Sequence, residues 1–295
     1  MRKLFILLLG FGLLTFSSSC QIINRGFNSH SDKIGKADTL FHLDKILVES
    51  SALCYWNNIF WSLNDSGGDA CLYGFDRKNG KLLHIIRINN TKNIDWEGLC
   101  QDKHFFYIGD FGNNYGNRKD LQIIRVRKPD TLAKKEISIE GEFIAYYYPD
   151  QKNFSIRKHK NKWDCESIFY QNDSLYVITK NWISGISSIY ALPSKPGKYA
   201  ADKKATFNAE GLITDAALST DGKTLYLIGY RDYIPYISVI DNYSATKLNK
   251  ANIKRYEFIT LAGTQTEGLC ILENNLYFSC EKSKFNPASL FIVKH

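Results

Sequence analysis

Residues 50–65 read SSALCYWNNIFWSLND: an apolar run, the pair Asn57-Asn58, then a second apolar run. Two apolar stretches around a short Asn-rich turn are the signature of a β-hairpin. The same pattern returns four times, at 96–111 (WEGLCQDKHFFYIGDF), 165–180 (CESIFYQNDSLYVITK), 214–229 (TDAALSTDGKTLYLIG) and 266–281 (TEGLCILENNLYFSCE). In each copy a small or acidic residue precedes a Tyr or Trp by ten or eleven positions: Ser51/Trp61, Glu97/Tyr107, Glu166/Tyr176, Asp215/Tyr226 and Glu267/Tyr277. Repetition at this spacing marks an array of one supersecondary unit.

Each interval between copies has room for four strands separated by polar turns. The fifth copy has only three before the chain ends: GLCIL, NLYFSC and SLFIVKH. Residues 38–48 (ADTLFHLDKIL being 37–47) have strand character and supply the missing outer strand. These observations predict an all-β fold, a five-bladed β-propeller closed by an N-terminal strand pairing with the last blade. Six blades is the alternative, since residues 127–160 have room for part of another hairpin. One domain over 38–295 is expected.

The N-terminus reads as a targeting segment. Arg2 and Lys3 precede an apolar core at 4–16, which is shorter than the roughly 20 residues of a membrane span. Ser17-Ser18-Ser19-Cys20 resembles a bacterial lipoprotein signal, with residues 1–19 removed and Cys20 lipidated; an ordinary cleaved signal is the alternative. Residues 20–37 read as a polar tether. This predicts an exported protein, lipid-anchored to the cell envelope and most simply to the outer membrane of a Gram-negative bacterium. Loss of Arg2 and Lys3 lowers the formal net charge from +8 to +6. The remaining cations are scattered, which reads as a solvated surface and not as a nucleic-acid site. Cys54, Cys100 and Cys270 fall at one position of three repeats, as small buried hydrophobes would, and no cysteine–histidine spacing suits zinc.

Propeller geometry turns the repeat into a site map. The starts of the inner strands and the loops after the Tyr/Trp strands converge at one mouth of the channel. The first group brings Glu97, Glu166, Asp215 and Glu267, preceded two residues earlier by Glu49, Asp95 and Asp164. The loops bring Asp65 and Asp69 in the NDSGGD stretch, Asp110, Asn113 and the cations Arg118, Lys180, Arg231 and Lys282. So many carboxylates need hydrogen bonds, cations or protons to share one mouth. Asp65, Asp69, Glu97 and Asp110 are candidate ligands for Ca2+, a hard ion that takes six to eight oxygens. There is no GxSxG, HExxH or P-loop, and all six histidines fall outside the mapped positions.

The segments ESSAL, NDSGGDACLYGFD, DWEGLC, YIGDFGNN with RKDLQIIRV, and CESIFY resemble a group of bacterial secreted or lipid-anchored β-propellers. That group is distantly similar to the phytase-like and esterase-like propellers. Phytase-like chemistry would place Ca2+ on the acidic mouth residues and phosphate on the cations, but no defined phytase catalytic set matches position by position. The leading expectation is therefore a binding module for a small-molecule or protein ligand. A metal-dependent phosphoesterase is the first alternative. A glycosidase using paired carboxylates, with Trp96, Tyr115, Trp182 and Tyr230 as sugar platforms, is the second.

Overall fold

Five sheets, each with an antiparallel core of four strands, follow one another in this computed structural model, which describes residues 29–284 and 286–294. The signal segment and Cys20 lie outside the described residues. Blade 1 contains Cys54–Trp56, Ile59–Ser62, Cys71–Asp76 and Leu82–Ile88. Blade 2 contains Trp96–Gln101, Phe105–Asp110, Gln122–Arg127 and Gly141–Tyr147. Blade 3 contains Asp164–Gln171, Ser174–Lys180, Ile186–Pro193 and Asp202–Asn208. Blade 4 contains Leu212–Leu218, Thr224–Arg231, Ile234–Asp241 and Asn252–Glu257. Blade 5 contains Thr266–Leu272, Asn275–Cys280 and Ser289–Val293. Its fourth strand is Asp38–His42, antiparallel to Ser289–Val293. The first strands pack against one another in the order 1–2–3–4–5–1. The protein is thus a five-bladed β-propeller closed by its N-terminal strand.

The hairpin turns explain why the repeat was visible. Asn57-Asn58, Asn172-Asp173 and Glu273-Asn274 all have positive φ at both residues. That is the backbone a two-residue hairpin turn demands, and Asn and Asp adopt it at low cost.

The core is divided into layers between blades. Trp61 and Trp96 are fully buried in the layer joining blades 1 and 2. Tyr148, Tyr190 and Ile168 lie in the layer joining blades 2 and 3. Each apolar side chain so buried contributes roughly 1.5–3 kcal/mol. All six described cysteines are free and buried, and Cys54, Cys100 and Cys270 pair with Trp61, Tyr107 and Tyr277 at equivalent rungs.

Three blades carry a fifth, outermost strand in parallel register. Ser29–Ile34 lies on blade 4, Glu136–Ile139 on blade 1 and Gly197–Ala200 on blade 2. Each immediately precedes the fourth strand of the next blade, so it ties one blade to its successor. The tether expected over 20–37 is corrected at 29–34, which belong to the sheet. The interval that left room for a sixth blade holds the Glu136–Ile139 strand instead.

Candidate functional site

Bulges at the starts of the inner strands build the mouth. The register slips between Trp96 and Gly98, Cys165 and Ser167, Ile213 and Asp215, and Thr266 and Leu269. A bulge leaves a residue without a partner and re-aims its side chain. Counting three residues back from the rungs at Cys54, Cys100, Phe169, Ala217 and Cys270 gives Ser51, Glu97, Glu166, Thr214 and Glu267. Asp215 is therefore one residue out of register with the other four. Its carboxylate accepts hydrogen bonds from Ala216 N (2.8 Å) and Leu269 N (2.7 Å), bridging blades 4 and 5. It is a lock between blades and not a mouth ligand.

Asp65, Asp95 and Glu97 do converge. One carboxylate oxygen from each lies within 4.8 Å of the other two. Ser51 Oγ donates to Glu97 Oε2 at 3.1 Å, and Ser66 N donates to Asp65 Oδ1. A Cβ on Gly112 would stand 2.5 Å from Asp95 Oδ2 and 2.7 Å from Glu97 Oε1, so bare backbone closes over the cluster. Burial pushes Asp95 up to about 7, helped by the charge of Asp65 and opposed by Arg118. Burial also raises Glu97 well above its ordinary value, with Glu166, Asp65 and Asp95 adding to it. Asp65 is raised by burial and by Glu49, against the hydrogen bond from Ser66.

Beside this cluster, Lys180 Nζ lies 2.6 Å and 2.5 Å from the two oxygens of Glu166. Burial disfavours the ammonium, but Glu166, Tyr230 and Glu267 outweigh it and hold the lysine charged. The rings of Trp182 and Tyr230 flank Nζ at 4.8 Å and 5.2 Å from their centroids. Glu267 Oε2 is buried without a hydrogen-bond partner, and burial with the Glu166 charge raises that carboxyl well above normal. Glu281 is pushed up to about 7 by burial and then by Asp65. Among the described ion pairs, Lys180 alone reaches this ring of acids.

The other mapped residues are placed differently. Asp110 is fully buried and engaged by Arg118 Nη2 at 3.0 Å, Gln122 Nε2 at 3.1 Å and Asp95 N at 3.3 Å. Arg118 also binds Asp120 at 3.1 Å and Gly112 O at 3.0 Å. Asp110 is thus spoken for and is removed from the metal set, where Asp95 takes its place. Asp69 leaves the set as well, since its oxygen lies 3.4 Å from Arg87 and outside the cluster. Asn113 is structural: its side chain accepts from Arg118 N at 3.0 Å and its own N donates to Asp164 Oδ1 at 2.7 Å. Arg231 turns outward to Glu257 (2.6 Å), Asp32 (3.1 Å) and Glu210 (3.5 Å). Glu49 and Lys282 are exposed at the rim.

Asp110 and Arg118 should matter for stability alone. Arg118→Leu leaves a buried carboxylate without its cation and should cost about 3 kcal/mol in urea unfolding. Lys282→Ala should stay within about 0.5 kcal/mol of the parent.

A groove of ≈ 1340 Å³ adjoins the acid ring on the side of blades 3, 4 and 5. Trp182, Tyr230 and Tyr233 supply aromatic surface, and Arg231, Lys282 and Lys284 supply cations. Tyr233 is 78% exposed with φ +63°, a backbone state that bulky residues rarely adopt. His159 stacks on Trp182 with ring centroids 4.2 Å apart. A histidine therefore does stand beside the mouth, though outside the positions that the repeat maps. It comes from the loop before blade 3, which the repeat does not map. Trp96 is core and unavailable as a platform.

No protein family and no curated protein matches the chain. Among solved structures, a protein assigned as exported from Bacteroides fragilis is 10% identical over 91% of this chain and 98% of that one, with TM-score 0.44. The U3-55K structure is 8% identical over 88% and 98%, with TM-score 0.44. An exo-β-1,3-galactanase from Phanerochaete chrysosporium is 13% identical over 66% and 46%, with TM-score 0.45. Against the first few similar structures the chain spans 64% or less of the matched protein. Likeness at this level is one of fold and carries no argument about activity.

Proposed function

We propose that this propeller is a lipid-anchored envelope module that binds a ligand at its mouth, with a divalent hard cation held by Asp65, Asp95 and Glu97. The observation that supports it is the convergence of those three carboxylates with no basic side chain among them, while Lys180 is engaged by Glu166. Carboxylates so placed must take up protons or a cation, and oxygen-only donors suit Ca2+ or Mg2+. The adjoining groove gives the ligand aromatic faces and cations. A metal-dependent phosphoesterase is the second reading, because a cation beside a groove bearing Lys282 and Lys284 could both activate water and hold an anionic substrate.

The purified protein should contain about one divalent ion. Its melting temperature should rise on adding Ca2+ after chelation, by roughly 5–10 °C at a hundredfold excess over Kd. Glu97→Gln should abolish the shift. A metal-free protein with the same melting temperature in Ca2+ and in chelator would sink the cation site. Turnover of a generic phosphoester that Glu97→Gln removes would select the second reading.

A further inference from the structure

The two faces of the propeller differ in charge. The mouth carries the acid ring. The opposite face is made of the hairpin turns at 57–58, 102–104, 172–173, 219–223 and 273–274, with the connections at 77–81, 128–135 and 242–251. Lys78, Lys103, Lys134, Lys135, Lys247 and Lys250 are all exposed on this face. None of the six forms an ion pair among the described residues, where the pairs near them use Arg77, Arg87 and Lys254.

Several carboxylates of this face are held by hydrogen bonds within the turns. Asp76 accepts from Lys78 N and Asn79 N, Asp102 from His104 N, Phe105 N and Tyr107 OH, and Asp221 from Lys223 N and Ser219 Oγ. Glu273 is paired with Arg77. Short carboxylates thus sit against the backbone while long lysine stems stand outside them. The mouth loops carry exposed lysines too, but there they stand around the acid ring.

We infer that this turn face docks on an anionic lipid surface and holds the mouth away from it. The cations are distributed over three blades, 1, 2 and 4, on one side of the disc, which suits a plane. A nucleic acid strand would call for a groove with arginines and stacking aromatics. Lysine is a compact hydrated charge, fitted to diffuse attraction by lipid headgroups. The chain also enters the fold at this side: Ser29 pairs with Asn252, which directly follows the 242–251 connection bearing Lys247 and Lys250. The outward aim of the mouth in the envelope rests on the lipid-anchor reading above; the docking surface does not.

Cosedimentation with vesicles tests this. The probes are vesicles of phosphatidylcholine and vesicles of equal parts phosphatidylcholine and phosphatidylglycerol. The parent should prefer the anionic vesicles by about tenfold or more at low salt and lose the preference at high salt. The set Lys134→Glu, Lys135→Glu, Lys247→Glu and Lys250→Glu should abolish that preference at an unchanged melting temperature. A charge-matched set on the mouth face, Lys92→Glu, Lys119→Glu, Lys158→Glu and Lys160→Glu, should retain most of it. All three proteins share residues 1–28, so any contribution of that segment cancels. Equal partitioning of the parent, equal loss in both sets, or equally tight binding of a single-stranded oligonucleotide overturns the inference. A failed preference with Ca2+ binding intact would leave the mouth reading standing.

Discussion

Lys180→Met should destabilise the protein by about 3–5 kcal/mol, because it strips the only cation from a buried carboxylate while leaving the carboxylate in place. Lys180 and Glu166 are both nearly inaccessible, and the two contacts of 2.5–2.6 Å are charge-assisted. At roughly 2–4 °C per kcal/mol for a domain of this size, the melting temperature should fall by about 10 °C or more. The pair Glu166→Gln with Lys180→Met should recover most of the loss, since removing both charges also removes the cost of burying them. Thermal unfolding of the two variants at pH 8 decides it. A double variant as unstable as the single one would mean that the lysine acts chiefly through its contacts with Trp182 and Tyr230.

The second large effect is a stability that falls as pH rises when the protein is held in chelator. Asp95 and Glu281 are each pushed up to about 7 in the folded chain. Unfolded, such groups titrate near 4. The native state therefore binds more protons between those limits. Its advantage is full below about pH 4 and is lost as pH climbs through 7. At face value this is worth about 4 kcal/mol for Asp95 and about 3 kcal/mol for Glu281, and solvent reaching both acids reduces each to about half. Melting in chelator should thus drop by roughly 10 °C between pH 5 and pH 8. A divalent cation competes with protons for the same oxygens, so Ca2+ should restore stability at pH 8 and do little at pH 5. A flat pH profile in chelator would show that the mouth acids are neutralised by another route.

Three of the five hairpins were legible because their two-residue turns need positive φ and carry Asn or Asp there, and a fourth carries Asp221-Gly222 with the positive φ at the glycine. Asp95, Glu97 and Asp65 were legible for a related reason: position in a repeat fixes which end of a strand a residue occupies. Asp215 was misread because the turn at 219–223 is longer than its counterparts. Tyr226 pairs with Ala217, nine residues back where the other four pairs span seven, so the matching start is Thr214, twelve residues before Tyr226, and not Asp215, eleven before it. The loop cations were misread because loop length says nothing about direction. Arg118 folds back onto Asp110, Arg231 turns to the outer strands, and only Lys180, the last residue of a strand, projects into the mouth. The strand at 29–34 was invisible for a third reason. SHSDKI has no apolar alternation, and its conformation comes wholly from pairing along an edge where charges are favoured. A paired signal was present for Asp164: the D-x-E spacing of Asp95 and Glu97 recurs at Asp164 and Glu166. Yet Asp164 is claimed by Asn113 N, Cys165 N and Trp182 Nε1, so equal spacing did not give equal roles.

The ties between successive blades set an order in time. Ser29–Ile34 is made first, yet its partner Asn252–Glu257 emerges 223 residues later. Asp38–His42 likewise waits for Ser289–Val293. At roughly 5–20 residues per second, the earliest strands stand unpaired for about 10–50 s. The ring can close only when the whole chain has been delivered, so its first-made strands remain open edges throughout synthesis and any export that accompanies it. The polar, charged character of Ser29–Ile34 is what such a wait requires, because a long apolar edge exposed for that time would recruit other chains before its own partner arrived.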